Sequence, residues 1–284
     1  MLTCCDAHLQ VDPAPAVKRF LAEFIDAAAK ASPTPGVLQH SLACTCQLLR
    51  DEAAGTAKRA LQSCYALFRT AYTLVAVRGA SSDAQEAAAL RGLWQGAQAL
   101  RSAVEALAVA PGNDGVRTGA VKFLEQAVLL LTAERVPAVA GVSEAAMQLP
   151  SANVVLSRAA LARDAEAALA QLVALLKQSG LAGTLAVAAV RAGTGIAQQR
   201  PQFVGRLMPS LLALAKQSGG DGAPTSSLAQ ALSSGLAALA RSSHPSVQPW
   251  KKKVAAAMEA MGAQHALDPA DRWAGRGPHQ QAGR

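Results

Sequence analysis

Five histidines and five cysteines are the residues of this 284-residue chain best suited to metal or nucleophilic chemistry, and their spacing supports neither. His8, His40, His244, His265 and His279 are dispersed, no pair stands at metal-ligand spacing, and His40 reads as a packing or surface residue of its helix. Cys4, Cys5, Cys44, Cys46 and Cys64 form no metal pattern, because Cys44-Thr45-Cys46 is one residue short of C-x-x-C. Cys64 and His40 could meet in space, but nothing orients them as a nucleophile and its base. The turn Gly112-Asn113-Asp114-Gly115 follows no strand, so it reads as a helix entry rather than a phosphate cradle. Asp51-Glu52 reads as a helix start, and Asp268 and Asp271 as part of a polar tail. The expectation is a protein without catalysis, cofactor or metal, whose chemistry is recognition.

The stretch that bears on recognition is N-D-G-V-R-T-G-A-V-K-F-L-E, residues 113–125. It follows Pro111-Gly112 and opens a helix, with Asn113 or Asp114 able to cap the orphan N–H groups and an acidic first turn suited to the positive end of the dipole. Arg117 enters within that first turn, on the apolar arc of Val116, Ala120, Val121, Phe123, Leu124, Ala127 and Leu131. A guanidinium on a packed face needs a partner. In stacked helix-pair repeats that partner is usually a carboxylate at the head of the same or the adjacent repeat. Thr118, Lys122, Glu125 and Gln126 share the opposite face of the helical wheel.

The elements that must carry these residues are helices. Alanine and leucine dominate a composition that is 51% hydrophobic, β-branched residues are thin, and glycines gather at the ends of periodic segments. Aromatic residues make up 4%, too few for stacking platforms that hold bases or sugars. No apolar run approaches the ~20 residues of a membrane span, no secretory pattern opens the chain, and the odd cysteine count fits a reducing compartment. The formal charge of +8 permits attraction to nucleic acid, phosphopeptides or acidic proteins, but the basic residues read as spread along the sequence. Their densest run, Lys251-Lys252-Lys253, reads as a solvated helix start, with Arg272, Arg276 and Arg284 scattered behind it.

Periodicity predicts about ten antiparallel helices. The first covers 16–31 with Val17, Phe20, Leu21, Phe24 and Ile25 on one face. The second runs to residue 49 on Leu38, Leu42, Thr45, Leu48 and Leu49. A third restarts at Asp51-Glu52 and carries Ala60, Leu61, Cys64, Leu67, Phe68, Leu74 and Val75. A fourth holds Leu90, Trp94, Ala97, Leu100, Val104 and Leu107, and the helix of Lys122 follows over 113–132. Residues 134–157 read as an irregular insert broken by Pro137, Gly141 and Pro150. Helices over 161–178, 182–199, from Arg200-Pro201 with Phe203, Leu207, Leu211, Leu212 and Ala215, over 228–241 after a glycine-rich hinge at 218–224, and over 249–261 complete the series. Cys44 and Cys46 read as small packing residues, Trp94 as core, Trp250 as the anchor of the last helix, and Trp273 as a residue that docks back or onto a partner. Arrays of helix pairs carry so many helices, and simple bundles rarely do. An acidic start followed by a basic residue and then the seam recurs in Asp51…Lys58-Arg59-Ala60-Leu61 and Asp114…Arg117…Ala120-Val121, which predicts a HEAT-type α-solenoid with long or irregular repeats. The expected layout is a lead over 1–15, a repeat domain over 16–263, and a disordered polar tail over 264–284.

Two blocks carry a family resemblance. Residues 113–125 resemble the corresponding block of the symplekin family, and Ile196-Ala197-Gln198-Gln199-Arg200-Pro201-Gln202-Phe203 is similar to its isoleucine-alanine-x-glutamine-arginine-proline-x-phenylalanine. The opening helices from Val17-Lys18-Arg19-Phe20, together with His244-Pro245 and the Met261-Gly262 turn, extend the likeness to about residues 16–264. The resemblance implies a nuclear, non-enzymatic scaffold of pre-messenger-RNA 3′-end cleavage and polyadenylation, with cleavage and polyadenylation factor subunits as partners. It further implies that a phosphatase of the RNA polymerase II C-terminal repeat binds the concave face, where Lys122 stands at the family's lysine in R-T-x-A-x-K-F, with Thr118 and Gln126 beside it. RNA would be met only indirectly, and no membrane is implied. The insert at 134–157 is shorter and less charged than the family's long loop there. Two other readings stay open on the residues alone: a basic helical-repeat protein binding RNA directly, and a generic HEAT adaptor.

Overall fold

The computed structural model describes residues 14–181, 183–218 and 227–263. The expectations for the N-terminal lead, most of the glycine-rich hinge and the polar tail, Trp273 included, lie outside the described residues. Among the described residues ten α-helices account for the fold, and there is no strand, only two isolated bridges. The chain is all-α, a helical-repeat solenoid in architecture, as the composition predicts. It divides into two compact units, residues 1–172 and 173–284, each described by itself below.

In the first unit, α1 (Pro15–Ala31) and α2 (Pro35–Leu49) each open on a proline in the first turn, where its missing N–H costs nothing. The Thr34 hydroxyl also accepts from the Val37 N–H at the head of α2. Then come α3 (Ala54–Arg78), α4 (Ala84–Val109) and α5 (Asp114–Leu131). Each helix packs on the next and on the next but one: α1 on α3 and α5 on α3 in one row, α2 on α4 in the other. That second-neighbour packing is the signature of stacked helix pairs and makes stability a sum of repeat and interface terms.

The predicted stripes are buried except on α1 and at Leu107 of α4, which is half-buried. Leu38, Leu42, Thr45, Leu48 and Leu49 of α2 and the seven core positions named for α3 are all inside. On α1 the seam is rotated: Leu21, Ala22, Ile25 and Ala29 are buried, whereas Val17 is 45% and Phe20 65% exposed. The cause is alanine. Ala22 and Ala29 let α1 lie close on its neighbours, so the contact ridge forms over the small residues and the Val17–Phe20 side is left in solvent. The start of α3 is also displaced, from Asp51 to Ala54. The Asp51 carboxylate accepts the Ala53 N–H at 2.9 Å and pairs with Lys18 Nζ of α1 at 2.6 Å, which holds residues 51–53 in a turn before the helix begins.

At the centre of the unit Phe68 of α3 meets Trp94 of α4, with ring centroids 5.9 Å apart, and Phe123 of α5, edge-on at 5.6 Å; Tyr72 adds a third contact to Trp94. Edge-to-face and tilted pairs of this kind add about 0.5–1.5 kcal/mol each beyond their area burial. Cys44 and Cys64 are buried and Cys46 half-buried, as packing residues. Burial raises the Cys64 thiol far above its usual value, the neighbouring Cys46 acting in the same sense, so it has no nucleophilic form at neutral pH.

The 134–157 segment is irregular, as expected, but it is tied down. Bridges pair Val136 with Met147 and Val139 with Ser143. Arg69 and Thr73 of α3 donate to the Ala138 and Pro137 carbonyls, and the Asn153 amide donates to the Val75 and Ala76 carbonyls near the end of α3. Asn153 thereby satisfies the Ala76 carbonyl, which the helix C-terminus leaves orphaned, and shares the Val75 carbonyl with the Gly79 N–H.

The sixth helix, α6 (Arg158–Lys177), crosses the boundary between the units. In the second unit α7 (Gly183–Gln199), α8 (Val204–Ser218), α9 (Ser227–Ala240) and α10 (Lys251–Ala260) repeat the packing rule, α7 on α9 and α8 on α10. A short 3₁₀ turn, Pro201–Phe203, leads into α8, and Phe203, Leu207, Leu211, Leu212 and Ala215 are buried. At the end of α10, Gly262 takes φ +67° and the Ala263 N–H returns to the Met258 carbonyl, a Schellman closure that needs glycine at that position. Trp250 stands immediately before α10, half-buried, with Lys253 Nζ 5.1 Å from its ring centre.

One sequence expectation is overturned by this division. The positive charge is not spread. Residues 1–172 hold 15 basic and 15 acidic side chains, residues 173–284 hold 12 and 4, so the entire +8 belongs to the second unit.

Candidate functional site

The surface that carries Lys122 is built by the register of α3 against α5, and two glycines mark that register. A Cβ on Gly115 would stand 2.5 Å from Lys58 Cε, and one on Gly119 would stand 3.2 Å from Leu61 Cδ1. The α3 side chains therefore lie on bare α5 backbone. One turn further on, Phe123 meets Phe68. Pairings of 115 with 58, 119 with 61 and 123 with 68 run in the same direction along both helices, so α3 and α5 are parallel, as equivalent helices of successive repeats must be.

Asn113 caps α5 as predicted, its side-chain oxygen accepting the Gly115 and Val116 N–H groups at 3.0 and 3.3 Å. Arg117 is mostly shielded and has two partners. Its guanidinium stands 3.7 Å from Asp114 Oδ1, the carboxylate at the head of the same helix, and its Nε donates to the Ala108 carbonyl at 3.3 Å. Ala108 belongs to the last turn of α4, where free carbonyls present partial negative charge. An arginine that its own helix dipole disfavours is thus held by the opposite pole of the preceding helix. Both acidic-start motifs noticed in the sequence converge here: Asp51, Glu52, Asn113 and Arg117 line a cleft of about 150 Å³ at this end of the unit.

On the other face, Lys122 and Gln126 are exposed, and Thr118 is half-buried with its Oγ1 shielded from solvent and unbonded. Positions 118, 122 and 126 rise about 6 Å per step along α5. No carboxylate lies within ion-pairing distance of Lys122 among the described residues; Glu125, half-buried on the same helix, is its electrostatic neighbour. Burial pushes the Glu125 carboxyl above its ordinary range, and the Lys122 charge draws it partly back. Behind Lys122 stands Phe123 in the aromatic core, so the ammonium is presented from a rigid support. Lys58 of α3, exposed over Gly115, adds a second cation near the head of the same helix.

A polar cluster that sequence reasoning missed lies on α4 and α6. Arg101, 8% exposed, donates to Asp164 Oδ1 at 3.1 Å, to the Asp164 carbonyl at 3.0 Å and to Glu105 Oε1 at 3.3 Å, while Gln98 donates to the other Asp164 oxygen at 3.3 Å. Burial and the Asp164 charge raise the Glu105 carboxyl, with Arg101 opposing them. The i, i+4 pair Arg101–Glu105 is visible in the sequence, but nothing there shows that it faces inward.

Among the described residues no group of three or more histidine, cysteine or carboxylate side chains could hold a metal ion, and no helix is long and apolar enough to cross a membrane. The family model for the symplekin/PTA1 N-terminal region matches residues 53–266. The match begins just before α3, so α1 and α2 precede it, and it contains both sequence blocks on which the resemblance rests. No individually curated protein matches the chain.

Proposed function

The chain belongs to the symplekin/PTA1 N-terminal family, and from that premise we propose that it docks a phosphatase of the RNA polymerase II C-terminal repeat on the α5 face that carries Lys122. Membership points to a scaffold in pre-messenger-RNA 3′-end processing, a protein that works by holding others. Lys122 supplies the charge, Gln126 an amide beside it, and Thr118 the edge where the face meets the α3 seam. The observation that carries the proposal is the exposed, unpaired Lys122 ammonium on a helix that lies against α3 at Gly115 and Gly119 and is held there by the Phe68–Phe123 contact. The backbone that presents this cation is already ordered, so on binding the ordering cost falls on the lysine side chain alone. The working compartment on this proposal is the nucleus, and the other partners are cleavage and polyadenylation subunits.

The test is a pull-down of the phosphatase with Lys122→Glu, the fold being checked by circular dichroism. Loss of the phosphatase at unchanged helicity supports the docking face, and undiminished capture removes it.

A further inference from the structure

The second sequence block lies on the other unit, and the α5 face leaves it unused. Between α7 and α9 runs an open groove of about 520 Å³ whose polar lining is Arg191, Gln198, Gln230 and Ser234. Its floor is set by a close helix approach: Thr194 of α7 lies so near Gly235 of α9 that a Cβ there would be 2.5 Å from Thr194 Cγ2. Gly195 leaves the wall beside Thr194 without a side chain. Arg191, Gln198, Gln230 and Ser234 are exposed, and among the described residues the Arg191, Gln198 and Gln230 side chains have no protein partner.

We propose that this groove binds an extended acidic peptide, its carboxylates or phosphates held by Arg191 and its main chain by the Gln198 and Gln230 amides. Four considerations point to this occupant. The unit carries 12 basic against 4 acidic residues, and Glu259 is the one carboxylate side chain among its described residues, so an anionic ligand meets little repulsion. Each glutamine amide offers both a donor and an acceptor, the complement of a peptide unit. Arg191 and Gln198 lie two turns apart on α7, about 10 Å at 1.5 Å per residue, the span of about three residues of extended chain. No aromatic side chain lines the groove, which removes the stacking that single-stranded nucleic acid uses.

The experiment is fluorescence anisotropy of the full chain with a labelled peptide alternating glutamate and serine, a control peptide with glutamine in place of glutamate, and a single-stranded RNA oligomer of equal charge. The acidic peptide binds and the control does not. Arg191→Gln weakens the complex about tenfold or more, as loss of a hydrogen bond to a charged group does, and Gln198→Ala with Gln230→Ala weakens it at unchanged charge. Lys122→Glu leaves it unchanged, which keeps this result separate from the α5 docking face. All these positions are exposed, and circular dichroism confirms that each variant folds. Peptide affinity indifferent to Arg191 and to both glutamines overturns the proposal, as does binding of the RNA without the peptide.

Discussion

Replacing Arg101 with methionine isolates the polar work of the most buried charged residue among those described. Methionine keeps much of the aliphatic stem that packs between α4 and α6 and removes only the guanidinium. What is lost is the bond to the Asp164 carboxylate, the bond to its carbonyl and the bond to Glu105, at 3.0 to 3.3 Å. What remains is two carboxylates 15% and 21% exposed with no cation to share. Removing one partner of a buried pair costs about 3–5 kcal/mol. The lower end applies here, because Gln98 still donates to Asp164 and Glu105 can take up a proton. The expected loss is therefore about 3 kcal/mol, read by urea unfolding with the slope compared between variants to confirm a single transition. The pH dependence has a definite sign. Glu105 is raised in the folded protein, so its ionised form opposes folding, and without Arg101 the opposition grows. The penalty of Arg101→Met shrinks at acidic pH, where Glu105 is protonated, and increases as pH rises through its folded value. A loss below about 1 kcal/mol, the range of exposed ion pairs, or a loss independent of pH refutes the network as described.

Two glycines at helix contacts, Gly235 and Gly119, should respond oppositely to alanine. In Gly235→Ala the new Cβ meets Thr194, a β-branched side chain that cannot swing aside, and overpacking of about 1–3 kcal/mol exceeds the ~1 kcal/mol gained in helix propensity, so the melting temperature falls. In Gly119→Ala the nearest atom is the end of Leu61 at 3.2 Å, which can rotate away, and the melting temperature holds or rises. Asp51→Asn should cost roughly 2 kcal/mol at neutral pH by weakening the Lys18 contact, the scale of a charged hydrogen bond. Burial pushes Asp51 up, but the hydrogen bonds from Lys18 and Ala53 and the Lys18 charge outweigh it and hold the carboxyl below its usual range. The stability Asp51 contributes is therefore present above the ordinary carboxylate value and lost as pH falls through the folded one, so the difference between wild type and variant closes in acid.

Most of the helical frame was legible because alanine and leucine periodicity, proline starts and glycine breaks all point the same way. The ten helices, the Asn113 cap, the Trp94 core position and the half-buried Arg117 follow from local sequence. The exposure of Val17 and Phe20 does not, since the choice between a phenylalanine ridge and an alanine ridge on α1 is made by how closely α2 and α3 approach. The Arg101 cluster is equally hidden: its partner Asp164 lies across the 134–157 insert, and no local pattern links them. The charge asymmetry was present in the sequence throughout, but it has meaning only once the boundary at 172–173 is drawn. Of the α5 face, the wheel placed Lys122 and Gln126 outward; the shielding of Thr118 Oγ1 and the arrival of Lys58 over Gly115 needed the α3–α5 register.

The central claim is that the α5 face is where this scaffold holds its phosphatase. The most direct measurement is isothermal titration of the phosphatase into the wild-type chain and into Lys122→Glu, with circular dichroism of both. The wild type should bind, and the variant should lose binding by at least tenfold at identical helicity, while Arg191→Gln binds as wild type. Equal affinity of Lys122→Glu and wild type would contradict the account.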